Sequence, residues 1–235
     1  MKLPLMELSR TLTATKFRVE LVKIQKYRCK HGHTGLSHYN CYRTEQGQPE
    51  RIGFLDTEFY VGRNNWGKLA GDWGTVLCWV IGDEKGNIVF DSITPKEILQ
   101  PTQDKRIITS CIQELSKYDR IVHHYGDACD LPLLRTRALY HGLEFPTYGQ
   151  LKTEDVWKIA KAKLCLSSNS QKNLSYLLRG KSEKTEVIAS IWLAAIRGDK
   201  KALDCILAHC KVDVRELTKN YVVLKDFIQK GNRSI

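Results

Sequence analysis

The sequence contains no apolar run near the roughly 18 residues a membrane-spanning helix needs, so no transmembrane segment is expected. Its first residues, MKLPLMELSRTLTATKF, lack a sustained apolar stretch and a small-residue cleavage pattern. A secretory leader is therefore not expected, and the expected setting is cytoplasmic, intracellular in a cell or virus-encoded. No internal repeat and no low-complexity tract is visible. Acidic residues are in short supply, with 26 Asp and Glu against 37 Lys and Arg, a formal net charge of +11. That deficit favours a polyanionic partner, of which nucleic acid is the commonest. The excess is spread along the chain: residues 1–50 carry nine basic and four acidic side chains, and the remainder 28 and 22.

What is present suits a folded domain. The 235 residues are 42% hydrophobic and 27% charged, which excludes a disordered or fibrous chain. The length suggests one core domain plus an appendage, here residues 1–50 and 51–235. Six cysteines (Cys78, Cys111, Cys129, Cys165, Cys205, Cys210) are scattered and are expected to be thiols rather than disulfides.

Residues 11–27 are expected to be helical, and Arg43–Arg51 reads as a polar linker. The apolar run Ile52–Leu55 predicts a buried strand ending at Asp56. Thr75–Ile81 predicts a second strand, and the turn residues Asp83–Asn87 return it as Ile88–Phe90. Asp104 is placed to cap a helix running to about Tyr118, with Ile107, Ile108, Cys111, Ile112 and Leu115 on one face. Arg120–His124 predicts a short strand. A helix follows from about Leu131 and ends at Gly142. Further helices are expected near 155–163, 171–179 and 187–197. The last is the clearest, since Leu203, Ile206, Leu207, Cys210, Val214, Leu217, Tyr221, Leu224 and Ile228 keep helical spacing. This order predicts an α/β domain, a mixed sheet flanked by helices.

Three acidic elements stand out. Asp56 and Glu58 alternate in a strand and so project to one face. Clustered carboxylates repel unless a cation lies between them, and oxygen donors suit Mg²⁺ or Mn²⁺. Asp130 opens a helix just after a strand, with Pro132 in the first turn and Asp127 as its neighbouring rival. His209 and Asp213 lie four residues apart and share a helix face. Each is unremarkable alone: an acidic turn, a cap and a solvated pair are the ordinary alternatives.

Taken together, the stretches IGFLDTEFY, YDRIVHHYGDACDLPLLRTRALYHGL and AHCKVDVREL resemble the RNase H-like 3′–5′ exonucleases of the DEDD superfamily, over roughly residues 51–229. The resemblance implies an RNase H-like fold and metal-dependent hydrolysis of phosphodiester bonds at a 3′ end of DNA or RNA. It implies that Asp56, Glu58, Asp130 and Asp213 hold two Mg²⁺ or Mn²⁺ ions and that His209 orients or deprotonates the attacking water. Two departures mark this chain. Its His stands four residues before the last Asp, the spacing at which relatives carry Tyr. Asp-Ala-Cys precedes Asp130, where relatives more often have an aromatic residue. Asp155 matches an acidic residue found before a helix in some relatives and is an accessory candidate, with helix capping as the alternative. A structure-selective endonuclease of the same fold, an inactive nucleic-acid-binding module and an enzyme acting on small phosphoesters are the rival expectations.

Around the motifs, Arg63, Arg135 and Arg137 are candidates for phosphate contacts, and Tyr60 and Trp66 for base stacking. In the appendage, Cys29, His31, His33, His38 and Cys41 fall within 13 residues. The pairs Cys29/His33 and His38/Cys41 have zinc-knuckle-like spacing, with His31 an alternative to His33, so one Zn²⁺ is expected. A basic loop with fortuitous histidines is the competing reading. Oligomeric state is not legible.

Overall fold

A computed structural model of the chain describes residues 13–29, 32, 34–37, 39–63, 69–147 and 150–228, apart from the side chains of Asn40, Arg63 and Leu69. The candidates His31, His33, His38 and Trp66 lie outside the described residues, as does the side chain of Arg63.

Two helices, α1 (Ala14–Lys26) and α2 (Tyr39–Glu45), precede a five-stranded sheet. Its strands are β1 (Ile52–Arg63), β2 (Leu69–Asp83), β3 (Ile88–Ser92), β4 (Arg120–His123) and β5 (Lys152–Asp155). They lie in the order β3-β2-β1-β4-β5. The first three are antiparallel neighbours, and β1, β4 and β5 run parallel. Helices α3 (Pro95–Ile98) and α4 (Lys105–Leu115) connect β3 to β4, and α5 (Asp130–Tyr140) connects β4 to β5. Then come α6 (Val156–Lys163), α7 (Gln171–Arg179), α8 (Ala189–Ala195) and α9 (Lys200–Leu224). The expected α/β architecture is present. Among the described residues no helix is long and apolar enough to cross a membrane, and the six scattered cysteines form no disulfide.

The run Val76–Ile81 is apolar without alternation because both faces of β2 are covered, leaving each residue at most 2% exposed. Trp79 points to one face, where its indole N–H donates to the Ile107 carbonyl of α4. Gly82 has the opposite parity and faces α9. A Cβ there would stand 2.8 Å from Val214 Cγ1, so the glycine sets how closely α9 lies on the sheet. Phe54 of β1 meets Tyr221 of α9, ring centroids 5.4 Å apart, which places even-numbered β1 residues toward that helix.

Several expectations need correction. The first strand does not end at Asp56. It continues to Arg63 because β2 pairs with it that far, through irregularities at Glu58/Phe59 and Tyr60/Gly62. On its other edge, β4 pairs only with Ile52–Phe54. Asp56 and Glu58 therefore sit where the sheet loses its third strand. Part of the supposed linker, Arg43–Glu45, belongs to α2, and Arg43 lies 3.5 Å from Asp119. Strand β5 was not foreseen because Lys-Thr-Glu-Asp carries no apolar pattern.

Asp104 occupies the cap position of α4 but makes no side-chain cap. It is fully buried and accepts from the Val76 N–H (2.8 Å), Arg137 Nη2 (2.8 Å) and His141 Nε2 (2.7 Å). Arg137 is only 2% exposed. Its place as a phosphate-binding candidate is overturned, because its guanidinium is committed to Asp104 and to the Asp72 carbonyl.

Candidate active site

Three elements deliver the acidic residues to one place. Strand β1 turns Asp56 and Glu58 toward α9, whose Cys210 thiol donates to the Asp56 carbonyl across 3.4 Å. One turn of α9 carries His209 and Asp213. His209 Nε2 lies 3.6 Å from Glu58 Oε1 and 3.7 Å from Asp213 Oδ2. Asp130 opens α5. Thr57 pairs with Trp79 of β2 but lies past the last β1 residue paired with β4; its N–H donates to Asp130 Oδ1 at 3.0 Å, and its hydroxyl donates to the same oxygen at 2.5 Å. The sequence-predicted residues Asp56, Glu58, Asp130, His209 and Asp213 are thus drawn together from β1, α5 and α9.

The electrostatics are those of a site short of positive charge. Burial, then repulsion from Asp130 and Asp213, pushes the Asp56 carboxyl well above its usual range. Burial and Asp56 do the same to Glu58, and burial raises Asp130. Asp56 Oδ2 and Asp213 Oδ1 are buried without a hydrogen-bond partner. Glu58, His209 and Asp213 each bring a ligand atom within 4.8 Å of the others, as do Asp56, Glu58 and Cys210. Orphaned carboxylate oxygens beside an imidazole fit a hard divalent cation such as Mg²⁺ or Mn²⁺. Burial, the largest effect, lowers the His209 pKa, which favours the neutral ring.

Sequence reasoning missed four contributors. Lys184, in the loop after α7, places Nζ 2.6 Å from Asp213 Oδ2. Thr185 Oγ1 lies 2.7 Å from His209 Nδ1 and fixes the far side of the ring. Gln171 donates to the Asp213 carbonyl at 2.7 Å. Thr57 holds Asp130. Loop residues such as Lys184 and Thr185 carry no periodic signal. Thr57, flanked by the two acidic residues, was the one position the strand pattern offered. Lys172, Lys184, Thr185, Trp192 and His209 line a cleft of about 440 Å³ beside the carboxylates.

The other candidates are dispersed. Asp155 caps α6, accepting from the Trp157 N–H at 3.0 Å, and lies with His123 and Asp127 in a second group whose ligand atoms fall within 4.8 Å. Lys158 pairs with Asp127 at 2.5 Å. Arg135 is exposed, 5.8 Å from the Phe145 ring centroid, at a groove of about 1160 Å³. Tyr60 is 42% exposed. In the appendage Cys29 is buried, and burial, then the neighbouring Cys29 thiol, raises the Cys41 pKa.

Residues 76–186 match the sequence model of a family described as a predicted 3′–5′ exonuclease related to the exonuclease domain of PolB. That interval includes Asp130 and Lys184 and stops short of β1's acidic pair and of α9. No curated protein sequence matches the chain. The family B DNA polymerase of the hyperthermophilic archaeon Pyrobaculum calidifontis superimposes with a TM-score of 0.59 at 15% identity, over 76% of this chain and 25% of the polymerase. The chain thus spans about a quarter of the length of that polymerase. Sheet order and superposition together show that this chain shares a fold with part of that polymerase, and residues 76–186 are similar to the predicted 3′–5′ exonuclease family.

Proposed function

We propose that the protein is a metal-dependent 3′–5′ exonuclease acting on DNA or RNA. The observation that carries this reading is the convergence of Asp56, Glu58, Asp130 and Asp213 with two orphaned carboxylate oxygens. In the reaction a water oxygen bonds to phosphorus, the bond from phosphorus to the 3′ oxygen breaks, that oxygen takes a proton from solvent to become the new 3′-hydroxyl, and a 5′-mononucleotide leaves a shortened strand. Two Mg²⁺ or Mn²⁺ ions, held by Asp56, Glu58, Asp130 and Asp213, would acidify the attacking water and neutralise charge at phosphorus. Asp56, Glu58 and Asp213 would hold the ion that acidifies the water, and Asp56 with Asp130 the ion that eases departure of the 3′ oxygen. His209, neutral near pH 7 and braced by Thr185, accepts the proton of the attacking water through Nε2. Thr57 keeps Asp130 aimed. Arg63 and Arg135 are assigned to phosphates, supported by the net charge and by the exposure of Arg135.

The test is degradation of 5′-labelled single- and double-stranded DNA and RNA in Mn²⁺, Mg²⁺ or EDTA. A metal-dependent ladder shortening from the 3′ end, lost in Asp56→Ala, is expected. Cleavage of circular single strands would instead mean an endonuclease. Binding without cleavage in either metal would mean an inactive module, and hydrolysis of small phosphodiesters alone would exclude a polymer substrate.

The neighbouring Cys29 and Cys41 thiols favour a second assignment for residues 1–50: one Zn²⁺ held by both cysteines with two of the intervening histidines, His33 and His38 by spacing. Metal analysis of purified protein should find one zinc per chain, lost in Cys29→Ser. Zinc-free protein with wild-type stability would overturn it.

A further inference from the structure

The connection between β4 and α5 contains a residue in an unfavourable backbone conformation. Tyr125 has φ +65°, in the left-handed region that L side chains rarely adopt. Glycine would occupy this position without strain, yet an aromatic residue stands there, 47% exposed. The strain is therefore not repaid by burying the ring in the core.

What holds Tyr125 is Asp155. Its Oδ1 accepts from the Tyr125 N–H at 2.8 Å and from the Trp157 N–H at 3.0 Å. One carboxylate oxygen thereby fixes two aromatic residues from different connections. Their rings pack edge to face, centroids 5.1 Å apart at 66°. Lys161 Nζ stands 4.8 Å from the Trp157 ring centroid, and Lys158 is exposed on the same short helix.

The position of this pair relies on the topology. Tyr125 follows the C-terminal end of β4 by two residues, and Trp157 follows that of β5 by two. Asp56 lies two residues beyond Phe54, the last β1 residue paired with β4. Because β1, β4 and β5 are parallel neighbours, all three positions lie along one edge of the sheet. Adjacent strands are about 4.8 Å apart, so the backbone at Tyr125 lies about one strand spacing, and that at Trp157 about two, from the backbone at Asp56. That is about the reach of the next nucleotides of a bound strand.

We propose that Tyr125 and Trp157, positioned by Asp155, form a base-stacking platform for the single-stranded segment next to the 3′-terminal nucleotide. The inference rests on the nuclease reading for its placement, but its physical content is binding. A base presents an apolar face that an exposed aromatic ring accepts whatever the base, and the neighbouring lysines meet the phosphates. The platform makes single strands the favoured substrate and leaves base identity unread.

The experiment is fluorescence anisotropy of labelled ten-nucleotide dT and rU oligomers with the full chain in Ca²⁺, alongside thermal melting. Tyr125→Gly separates ring from strain, because it deletes the stacking face while relieving the backbone. It should bind about 5–30-fold more weakly with a melting temperature equal to or above wild type. Trp157→Ala should weaken binding similarly, and Tyr125→Phe should restore it to within about twofold. Wild-type binding by Tyr125→Gly, or failure of the wild-type chain to prefer single over double strands, would overturn the platform. Absence of any cleavage in Mn²⁺ with the binding losses intact would remove the nuclease reading and leave the platform standing.

Discussion

The Lys184 ammonium lies 2.6 Å from Asp213 Oδ2, at the rim of the carboxylate cluster. It stands on the Asp213 oxygen that also faces His209. A divalent cation drawing on that oxygen competes with the ammonium. Lys184→Met should therefore tighten Mn²⁺ binding several-fold by calorimetry. In EDTA the same variant should lose about 1–3 kcal/mol of stability, because Asp213 is left buried and unpaired. Weaker Mn²⁺ binding would show that the ammonium assists the ion rather than replacing it.

Arg135 and Arg137 are two residues apart and should behave oppositely. Arg137 lies buried against Asp104, which also anchors Val76 and His141, so it ties α5 to β2 and the start of α4. Arg137→Leu strands a buried carboxylate and should cost about 3–5 kcal/mol in urea unfolding. Arg135→Ala should change stability by no more than about 0.5 kcal/mol. It should instead lower the slope of log affinity against log salt by about one. Equal stability losses in the two variants would refute the contrast.

These residues show what was legible beforehand. Asp56 and Glu58 were readable because strand alternation fixes their common face, and His209 with Asp213 because a long apolar stripe fixes the helix phase. Asp130 was readable as a helix opening, although only the structure shows Thr57 holding it. Asp104 misled because a cap and a buried ion-pair acceptor call for the same side chain, and Val76, Arg137 and His141 are distant in sequence. Arg137 misled because helical spacing places a charge on a face without saying that a carboxylate waits there. Lys184 and Thr185 sit in an irregular loop, and β5 is four polar residues whose strand character comes from pairing with β4. Long-range pairing, rather than local pattern, decided each of these.

His124 gives the fold a pH dependence. Its Nε2–H donates to the Asn169 carbonyl at 3.0 Å, and Nδ1 is buried without a partner. Burial and the nearby Lys184, opposed by Asp155, lower its pKa from 6.5 to about 4, and His123 adds slightly to the lowering. Above pH 6.5 the ring is neutral folded or unfolded and contributes no slope. Between about 6.5 and 4 the unfolded chain takes up a proton that the folded chain refuses, so stability falls as pH drops. The loss amounts to at most about 3 kcal/mol. In urea titrations at pH 7 and pH 4.5, wild type should lose more stability than His124→Gln, which keeps a donor for Asn169. Equal losses would remove His124 as the cause.

Asp56 presents the opposite case, a residue whose presence weakens the metal-free fold. Asp56 is half-buried, its Oδ2 is buried without a partner, and Asp130 and Asp213 repel it. Asn keeps the size and removes the charge. Asp56→Asn should therefore be more stable than wild type in EDTA at pH 7.5, by about 1–3 kcal/mol, while cleavage falls at least about a hundredfold. Mn²⁺ should raise the melting temperature of wild type substantially and that of Asp56→Asn little, since the ion supplies the counter-charge only where the charge exists. A destabilised Asp56→Asn would mean that the carboxylate is held by compensating contacts within the fold. An equal Mn²⁺ shift in both proteins would place the ion elsewhere. The combination of added stability and lost activity is what a site built for a cation, rather than for the fold, is expected to give.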